Sequence, residues 1–263
     1  MPVMPLSFKP TLAKNYTPNL SSEIYWAQAK VDGVRCISTK ENGDIILYTR
    51  HGNVIEGFSK IKRELQKVLE EGDIIDGELY SENLSFEEIC SSVKTGGNNL
   101  RYFVFDFIEK EVADMGESLL YSDRFEALKN RIAGLRHITP VEHLEHTIEG
   151  DDEIQKATQY FVSRGWEGVI LRTESHYKGG RNNTLLKNKP FQDDEFKLMG
   201  YEETEKGRFV ACLLTASGQE FKASCACACA RAYIKKMVTV RYQGKTSNGI
   251  PRFARVIAAR DYE

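Results

Sequence analysis

The run Lys30-Val31-Asp32-Gly33-Val34-Arg35 places an amine, a carboxylate and a guanidinium around one tight turn. Its flanks are apolar and β-prone, so we expect the turn at the end of a strand. An amine that is held between apolar walls and near a second cation can have a lowered pKa. Lys30 would then be a nucleophile at neutral pH, able to attack a phosphate or a carbonyl. The alternative is a surface hairpin with solvated charges.

Charged residues also lie in or beside other apolar runs that are expected to be strands. Glu78 lies within the run 74–80, Glu167 precedes the run 168–171, and Lys187 and Lys189 share one face if the strand alternates with a period of two. Carboxylates suit Mg²⁺ and ammonium groups neutralise phosphoryl oxygens, so together they predict a site for a phosphate chain and a hard cation. Taken singly, the carboxylates could be strand-end caps and the lysines a protected sheet edge.

The elements that must position these residues follow from the spacing of apolar residues. Strands are predicted over 23–50 with a turn at 42–44, and over 74–80, 102–108 and 168–171. Helices are predicted over 59–71, over 85–94, around Phe125 to Ile132, and around Ile154 to Val162 with Gly165 just beyond its end. Strands interspersed with helices predict an α/β or α+β domain.

Composition is ordinary for a globular protein. The chain has 263 residues, 41% hydrophobic and 28% charged residues, and a formal net charge of -2. No apolar run reaches the length of a membrane span, and the amino terminus lacks the pattern of a secretory signal. Scattered cysteines favour a reducing compartment, so the expected location is the cytoplasm.

The composition changes after Pro190. Short β-prone runs at 209–214, 238–242 and 256–258 with glycine-marked turns predict a small barrel or sandwich. From Phe221 to Arg260 there is no Asp or Glu, although nine Lys and Arg residues occur there: Lys222, Arg231, Lys235, Lys236, Arg241, Lys245, Arg252, Arg255 and Arg260. We favour a polyanion-binding surface over a solvated face with counter-ions.

Six segments, in this order, resemble motifs I, Ia, III, IIIa, IV and V of the covalent nucleotidyltransferases: Lys30–Arg35, Tyr48–Asn53, Asp76–Leu79, Phe103–Asp106, Glu167–Arg172 and Leu185–Lys189. The segments Tyr177–Arg181 and Gly249–Phe253 are similar to parts of ligases. Within this superfamily the chain most resembles the small phage, viral and bacterial ATP-dependent DNA ligases. The resemblance implies an α+β nucleotidyltransferase domain of antiparallel sheets and helices over 1–190, followed by an all-β OB-fold domain over 191–263.

The resemblance also implies a chemistry for these residues. Lys30 attacks the α-phosphate of ATP, AMP passes to the 5′-phosphate of a nick, and the 3′-OH then displaces AMP. Lys187 and Lys189 are expected to promote loss of the Lys30 proton and to stabilise charge on the α-phosphate. The implied ATP- or AMP-binding residues are Gln28, Arg35, Glu78, Phe105 and Glu167, with Glu78 and Glu167 also ligating Mg²⁺ or Mn²⁺. Core packing is the alternative role for Phe105.

A second set of residues is expected to bind nucleic acid. Arginine forks suit the 5′-phosphate and the DNA backbone. The candidates are Arg35, Arg50, Arg172 and Arg181 in the first domain, and Lys235, Lys236 and Arg241 in the second. The expected partner is nicked double-stranded DNA, bound by a monomer, with no membrane involved; for a phage-encoded protein the compartment would be the host cytoplasm.

The sequence departs from the family pattern in three places. Cys225, Cys227 and Cys229 replace a glycine-containing turn, and we favour small buried residues over a soft-metal site because the paired spacing of structural zinc sites is missing. Ala254 stands where relatives usually have proline. The last motif, an Arg-x-Asp-Lys run, has only Arg260-Asp261 as a candidate.

Two alternatives to a DNA ligase remain at this stage. The Leu-Lys-x-Lys-Pro form of motif V is also compatible with a capping enzyme, so an RNA ligase or a capping-type nucleotidyltransferase is the nearest. The other alternative is an OB-type nucleic-acid binder with an inactive transferase domain. The intact set of Lys30, Glu78, Glu167, Lys187 and Lys189 argues against it.

Overall fold

The computed structural model describes residues 8–18, 23–97, 99–110, 119–204, 209–225, 234–246 and 248–259. The chain divides into two compact units on either side of the bond between Asn188 and Lys189. The first unit contains two buried apolar cores and the second unit contains one.

The first unit is built from ten strands and four helices within the described residues. In chain order they are β1 (Thr11–Asn15), β2 (Ile24–Lys30), β3 (Val34–Glu41), β4 (Asp44–Tyr48), α1 (Ser59–Leu65), β5 (Ile74–Tyr80), α2 (Phe86–Thr95), β6 (Arg101–Ile108), α3 (Tyr121–Arg131), β7 (Ile138–Pro140), β8 (Ile148–Glu149), α4 (Gly150–Ser163), β9 (Gly168–Arg172) and β10 (Gly180–Asn188).

These strands form two five-stranded sheets, with orders β1-β10-β9-β2-β8 and β4-β3-β5-β6-β7. Most neighbouring strands are antiparallel, as expected, but β1 pairs with β10 and β6 pairs with β7 in parallel. One apolar core lies between the second sheet and helices α1 to α3, and another lies between the first sheet and α4. Strands β2, β5 and β9, which carry or adjoin the predicted site residues, are therefore each packed against an apolar core.

Local sequence signals explain the start of α2 and the two ends of α4. The Ser85 hydroxyl accepts a hydrogen bond from the backbone N–H of Glu88, and the Glu88 carboxylate accepts one from the backbone N–H of Ser85. This capping box starts α2. Helix α4 has acidic residues in its first turn, and Gly165 follows its C-cap with a φ of 91°, as predicted.

Helix α1 is shorter than the predicted span of 59–71, because it ends at Leu65. The chain continues as tight turns in which the N–H groups of Lys67 and Val68 donate three residues back, to Glu64 and Leu65. The N–H of Gly72 then donates to the carbonyl of Lys40 at 2.8 Å, which ties this segment to β3.

The second unit is a closed five-stranded barrel with the order β11-β12-β13-β15-β14. Its strands are β11 (Gln192–Glu203), β12 (Phe209–Leu214), β13 (Glu220–Cys225), β14 (Met237–Tyr242) and β15 (Arg255–Ala259). The barrel, rather than the sandwich, is therefore the correct form. Its core includes Phe196, Leu198, Leu213, Phe221 and Val240.

Candidate active site

The first pair of site residues is brought together by the pairing of β2 with β9. Lys30 is the last residue of β2 and lies opposite Gly168, and the N–H of Glu167 donates to the Lys30 carbonyl at 3.0 Å. The Lys30 Nζ forms an ion pair with Glu167 Oε2, and the two side chains are only 17% and 16% exposed. Lys30, from the run 30–35, and the carboxylate of Glu167 therefore form one charged pair in space.

Glu78 joins this pair from β5. The backbone N–H of Gly33, in the turn after Lys30, donates to Glu78 Oε2 at 3.0 Å. A Cβ at Gly33 would lie 2.5 Å from the carbonyl oxygen of Leu79, so only glycine lets the turn approach β5 this closely. Gly33 thereby holds the amine of Lys30 and the carboxylate of Glu78 in one site.

The ionisation of Lys30 differs from the sequence-based expectation. Burial lowers the pKa of Lys30, but the charges of Glu78 and Glu167 outweigh it, so the pKa lies above the ordinary value of 10.5. The prediction that the pKa is lowered by apolar walls and neighbouring cations is therefore wrong for the ligand-free protein. The reason is that the carboxylates of Glu78, Glu167 and Asp32 act on the Lys30 ammonium group and favour its charged form.

Glu78 is also perturbed. Burial raises its pKa from 4.5 to about 7, against the opposing charges of Lys30 and Arg35. The carboxyl group of Glu78 consequently changes charge near neutral pH, within the working range of most enzymes.

A cavity of about 400 Å³ opens beside these charges. Its wall contains most of the first-domain residues that were predicted to bind ATP, metal or phosphate: Gln28, Lys30, Arg35, Arg50, Glu78, Phe105, Arg172, Arg181 and Lys187. We call it the nucleotide cavity. Glu167 joins the set through its ion pair with Lys30.

Lys187 and Lys189 do not share one strand face. Lys187 lies in β10, opposite Ile170 of β9, and lines the nucleotide cavity. β10 ends at Asn188, and Lys189 belongs to the second unit, where its Nζ lies 5.7 Å from the ring centroid of Phe253. The predicted alternation stops one residue too early to include Lys189.

Arg35 and Phe105 lie together in the cavity wall. The Nε and Nη2 of Arg35 donate to the two carboxylate oxygens of Asp76, each at 2.5 Å. The same guanidinium lies 4.6 Å from the ring centroid of Phe105, a cation–π contact. Phe105 also belongs to the apolar core, so it both packs in the core and lines the cavity.

Arg172 has a different environment from the one expected of a DNA contact. It is only 5% exposed, its Nη1 donates to Asp106 Oδ2 at 2.8 Å, and its Nε donates to Gln28 Oε1 at 2.8 Å. Asp106 also binds Arg124, whose Nε donates to Oδ1 at 2.8 Å. The Gln28 Nε2 in turn donates to the hydroxyl of Tyr121. Arg172 thus supports Gln28 from within a buried network.

Sequence reasoning missed several members of this network. Asp76 and Asp106 occur in the quoted motifs without a role, and only their apolar surroundings hinted that each needs a cationic partner. Tyr121 and Arg124 lie on α3 with no local pattern that marks them. Their contacts arise from the packing of α3 against β6.

The other two first-unit arginines that were predicted to bind phosphate, Arg50 and Arg181, are exposed and line the cavity. The Nη1 of Arg181 donates to the carbonyl of Ala13 at 2.6 Å, and the Nη2 of Arg50 lies 3.3 Å from His51 Nε2. Both guanidinium groups keep further N–H donors that can face a phosphate.

In the barrel, three acidic side chains of β11 form ion pairs with residues of the basic stretch. Arg241 binds Asp193 through two hydrogen bonds of 2.8 and 2.7 Å. Lys245 pairs with Asp194, and Lys222 pairs with Glu202. The stretch that is free of acids in sequence is therefore partly neutralised in space. Lys235 and Lys236 lie in the turn before β14.

No cluster of three or more His, Cys, Asp or Glu side chains arranged to hold a metal occurs within the described ranges. The two carboxylates of Glu78 and Glu167 still fit Mg²⁺, which commonly takes one or two carboxylates and completes its shell with phosphate and water. Of the three clustered cysteines, Cys225 packs against the barrel core, and Cys227 and Cys229 lie outside the described residues. Arg260-Asp261 also lies outside them.

The helices within the described part of the chain include none that is long and apolar enough to cross a membrane.

Two family models match the chain. One, described as an ATP dependent DNA ligase domain, matches residues 10–189, and one, described as a DNA ligase OB-like domain, matches residues 204–260. The first match covers most of the first unit, and the second match lies within the second unit.

Individual relatives agree with the family models. A DNA ligase of African swine fever virus is 29% identical over 199 residues, which cover 71% of this chain but only 46% of that protein. The chain therefore spans about half the length of the viral ligases it matches. A DNA ligase of Haemophilus influenzae is 31% identical over 196 residues, covering 68% of this chain and 69% of that protein.

A solved structure of Lig E DNA ligases has the same fold, with a TM-score of 0.75 at 24% identity, over 97% of this chain and 100% of that one. The first family model alone covers more than half of the sequence. The chain belongs to the family of ATP-dependent DNA ligases.

Proposed function

We propose that the chain is an ATP-dependent DNA ligase that seals nicks between a 5′-phosphate and a 3′-OH. The observation that carries this proposal is the charged group of Lys30, Glu167 and Glu78 at the wall of a cavity of about 400 Å³, which Lys187 also lines. An amine, two carboxylates and a further cation are what nucleotidyl transfer through a lysine requires.

In the first step the Lys30 Nζ attacks the α-phosphorus of ATP. A nitrogen–phosphorus bond forms, the bond from that phosphorus to the bridging oxygen breaks, and pyrophosphate leaves. The AMP then passes to the 5′-phosphate of the nick, which frees Lys30. The 3′-OH finally attacks that 5′-phosphate, and AMP leaves with the electron pair of the broken anhydride bond.

Lys30 must lose a proton before it can attack. In the ligand-free structure its ammonium is held by Glu167, and its pKa is raised by the charges of Glu78 and Glu167. A divalent cation on these carboxylates would offset their charge and lower the pKa of Lys30. Activation of the nucleophile is thereby coupled to occupancy of the carboxylates.

The other cavity residues have proposed positioning roles. Lys187 is suited to stabilise charge on the α-phosphate, and Arg35, Arg50 and Arg181 supply guanidinium donors for phosphates. Phe105 offers a ring at the cavity wall. The nucleotidyltransferase domain is proposed to occupy 1–190 and the OB domain 191–263.

The decisive experiment is incubation with ATP labelled at the α-phosphate, followed by a denaturing gel. The wild type should retain the label, and Lys30→Ala and Lys30→Arg should not, because neither side chain supplies a neutral amine. Lys94→Ala, at the exposed end of α2, is the matched control. A stable AMP adduct on Lys30→Ala would refute the assignment.

Nick sealing is measured separately, on duplex DNA with one labelled 5′-phosphate at the nick. Sealing that depends on ATP and on Lys30 supports the full proposal. Adduct formation with GTP in preference to ATP would instead support a capping-type enzyme. The use of Mg²⁺ or Mn²⁺, the monomeric state and the cytoplasmic location stay predictions.

A further inference from the structure

Glu142 lies where the chain passes from one sheet of the first unit to the other. β7 pairs with β6 and ends at Pro140, and the N–H of Val141 still donates to the carbonyl of Val104 in β6 at 2.9 Å. The carbonyl of the next residue, Glu142, accepts from the N–H of Ala29 in β2 at 2.7 Å. The backbone of Glu142 therefore joins the carboxyl end of β2 to a segment that the other sheet holds.

The carboxylate of Glu142 holds the segment that leads into β9. Its Oε2 accepts from the indole Nε1 of Trp166 at 2.8 Å. Its Oε1 accepts from the hydroxyl of Tyr160 at 3.1 Å and forms an ion pair with Arg164 Nε at 2.5 Å. Tyr160 lies in α4, and Arg164 and Trp166 follow this helix. One side chain therefore fixes the path of the chain from the end of α4 towards β9.

The indole of Trp166 is held on several sides. It packs against both apolar cores of the first unit, and its ring centroid lies 5.6 Å from that of Phe103 and 5.9 Å from that of Tyr80. The indole has a single donor, and a carboxylate acceptor makes its hydrogen bond charge-assisted and strong. The bond to Glu142 therefore sets the rotation of the ring within this packing.

These contacts lie one residue away from each member of the charged pair in the active site. Ala29 precedes Lys30, and Trp166 precedes Glu167. The backbone of Glu142 binds the first of these neighbours, and its side chain binds the second. A change in the length or direction of this connection would move Glu167 relative to Lys30.

We propose that Glu142 is a positioning residue for the pair of Lys30 and Glu167, and that it acts through the indole N–H of Trp166. This inference rests on the proposed function. Glu142 and Trp166 do not line the nucleotide cavity, so their effect must pass through the residues that do. Attack at phosphorus depends steeply on geometry, and a misplacement of about 1 Å can lower a rate about 100-fold.

The first test examines the charged pair without any nucleotide. Ligand-free protein is treated briefly with acetic anhydride, and mass spectrometry compares acetylation of Lys30 with that of Lys94, at the exposed end of α2. Only a neutral amine is acetylated, so Lys30 should react faster when its pairing with Glu167 loosens. We expect the Lys30-to-Lys94 ratio to rise about threefold or more in Trp166→Phe, which keeps a ring but loses the N–H.

Two controls separate this effect from a general loosening of the fold. The half-buried Lys40 donates from Nζ to a backbone carbonyl at 3.1 Å, and its acetylation should not change. Arg164→Met is the matched variant, because it removes another partner of Glu142 and leaves Trp166 bound; it should keep the wild-type ratio. An unchanged Lys30 ratio in both Trp166→Phe and Glu142→Ala would overturn the inference, and so would an equal rise at Lys40.

The second test measures the rate of adduct formation at saturating ATP. Trp166→Phe and Glu142→Ala should each lower the rate about tenfold, and the double variant should lose little more, because both changes remove the same contact. Glu142→Gln should stay closer to the wild type than Glu142→Ala, since its amide oxygen can still accept from Trp166. Losses that multiply fully in the double variant would refute the route through the indole. A wild type that forms no adduct would instead refute the proposed function.

Discussion

The pKa of Glu78 predicts the shape of the pH profile for adenylation. With a pKa raised to about 7, about one tenth of Glu78 is ionised at pH 6 and about nine tenths at pH 8. If the ionised carboxylate is needed, this group alone contributes about a ninefold rise in rate over that interval. Lys30 must also lose a proton, and its raised pKa adds a further dependence of about tenfold per pH unit.

The assay is kcat/KM for adduct formation, which reports the ionisations of the free enzyme and of free ATP. The slope of its logarithm against pH should be about 2 below pH 7 and about 1 above it. Glu78→Gln should react more slowly, with a slope of about 1 throughout, because Glu167 still faces Lys30.

The ratio of the wild-type to the Glu78→Gln rate isolates the carboxyl group. Ionisation of ATP is common to both proteins and cancels. This ratio should rise about ninefold from pH 6 to pH 8. A ratio that stays constant across this range would refute the reasoning that Glu78 acts as a carboxylate with a raised pKa.

Four further variants test the remaining roles. Glu167→Ala should keep the wild-type circular dichroism spectrum but lose at least about tenfold in metal-dependent adenylation; wild-type sealing across a magnesium titration would contradict this. Lys187→Ala should slow adenylation by about 10- to 100-fold at an unchanged melting temperature, and a normal rate would favour the sheet-edge role. Replacing Lys235 and Lys236 with Ala should reduce the slope of log affinity for nicked DNA against log salt concentration by about 0.9 per lost phosphate contact. Arg241→Ala should reduce this slope less, because Arg241 already pairs with Asp193. If the Lys235/Lys236 double variant binds the nick as tightly as the wild type at two salt concentrations, these lysines are not part of the DNA-binding surface.

Sequence patterns predicted the elements whose signals are local. The strand 74–80 was predicted from its apolar run and the end of α4 from the glycine that follows it, and the structure adds a capping box at the start of the predicted helix 85–94. β11 was not foreseen, because its first half, Gln192-Asp193-Asp194-Glu195, is polar and has low β-propensity. β11 is stabilised by pairing with β12 and β14, and the sequence of the segment itself does not reveal these partners.

The candidate site divides in the same way. Lys30, Glu78 and Glu167 were identifiable because ordered motifs contain them, and the structure brings them together. The direction of the Lys30 pKa shift and the burial of Arg172 could not be predicted from the sequence. Both depend on which side chains approach from other strands and helices. Charge counted along a sequence says little about the field at one atom.

The pairing of Arg241 with Asp193 has a consequence for the rate at which a ligase would dissociate from sealed DNA. A DNA phosphate that binds this arginine must replace a carboxylate that already satisfies it, so one anion is exchanged for another with little net gain. Such a contact would guide the approach of DNA without holding it strongly. A barrel that carries its own anions would therefore release sealed duplex faster, and the time spent on intact DNA between nicks would shorten.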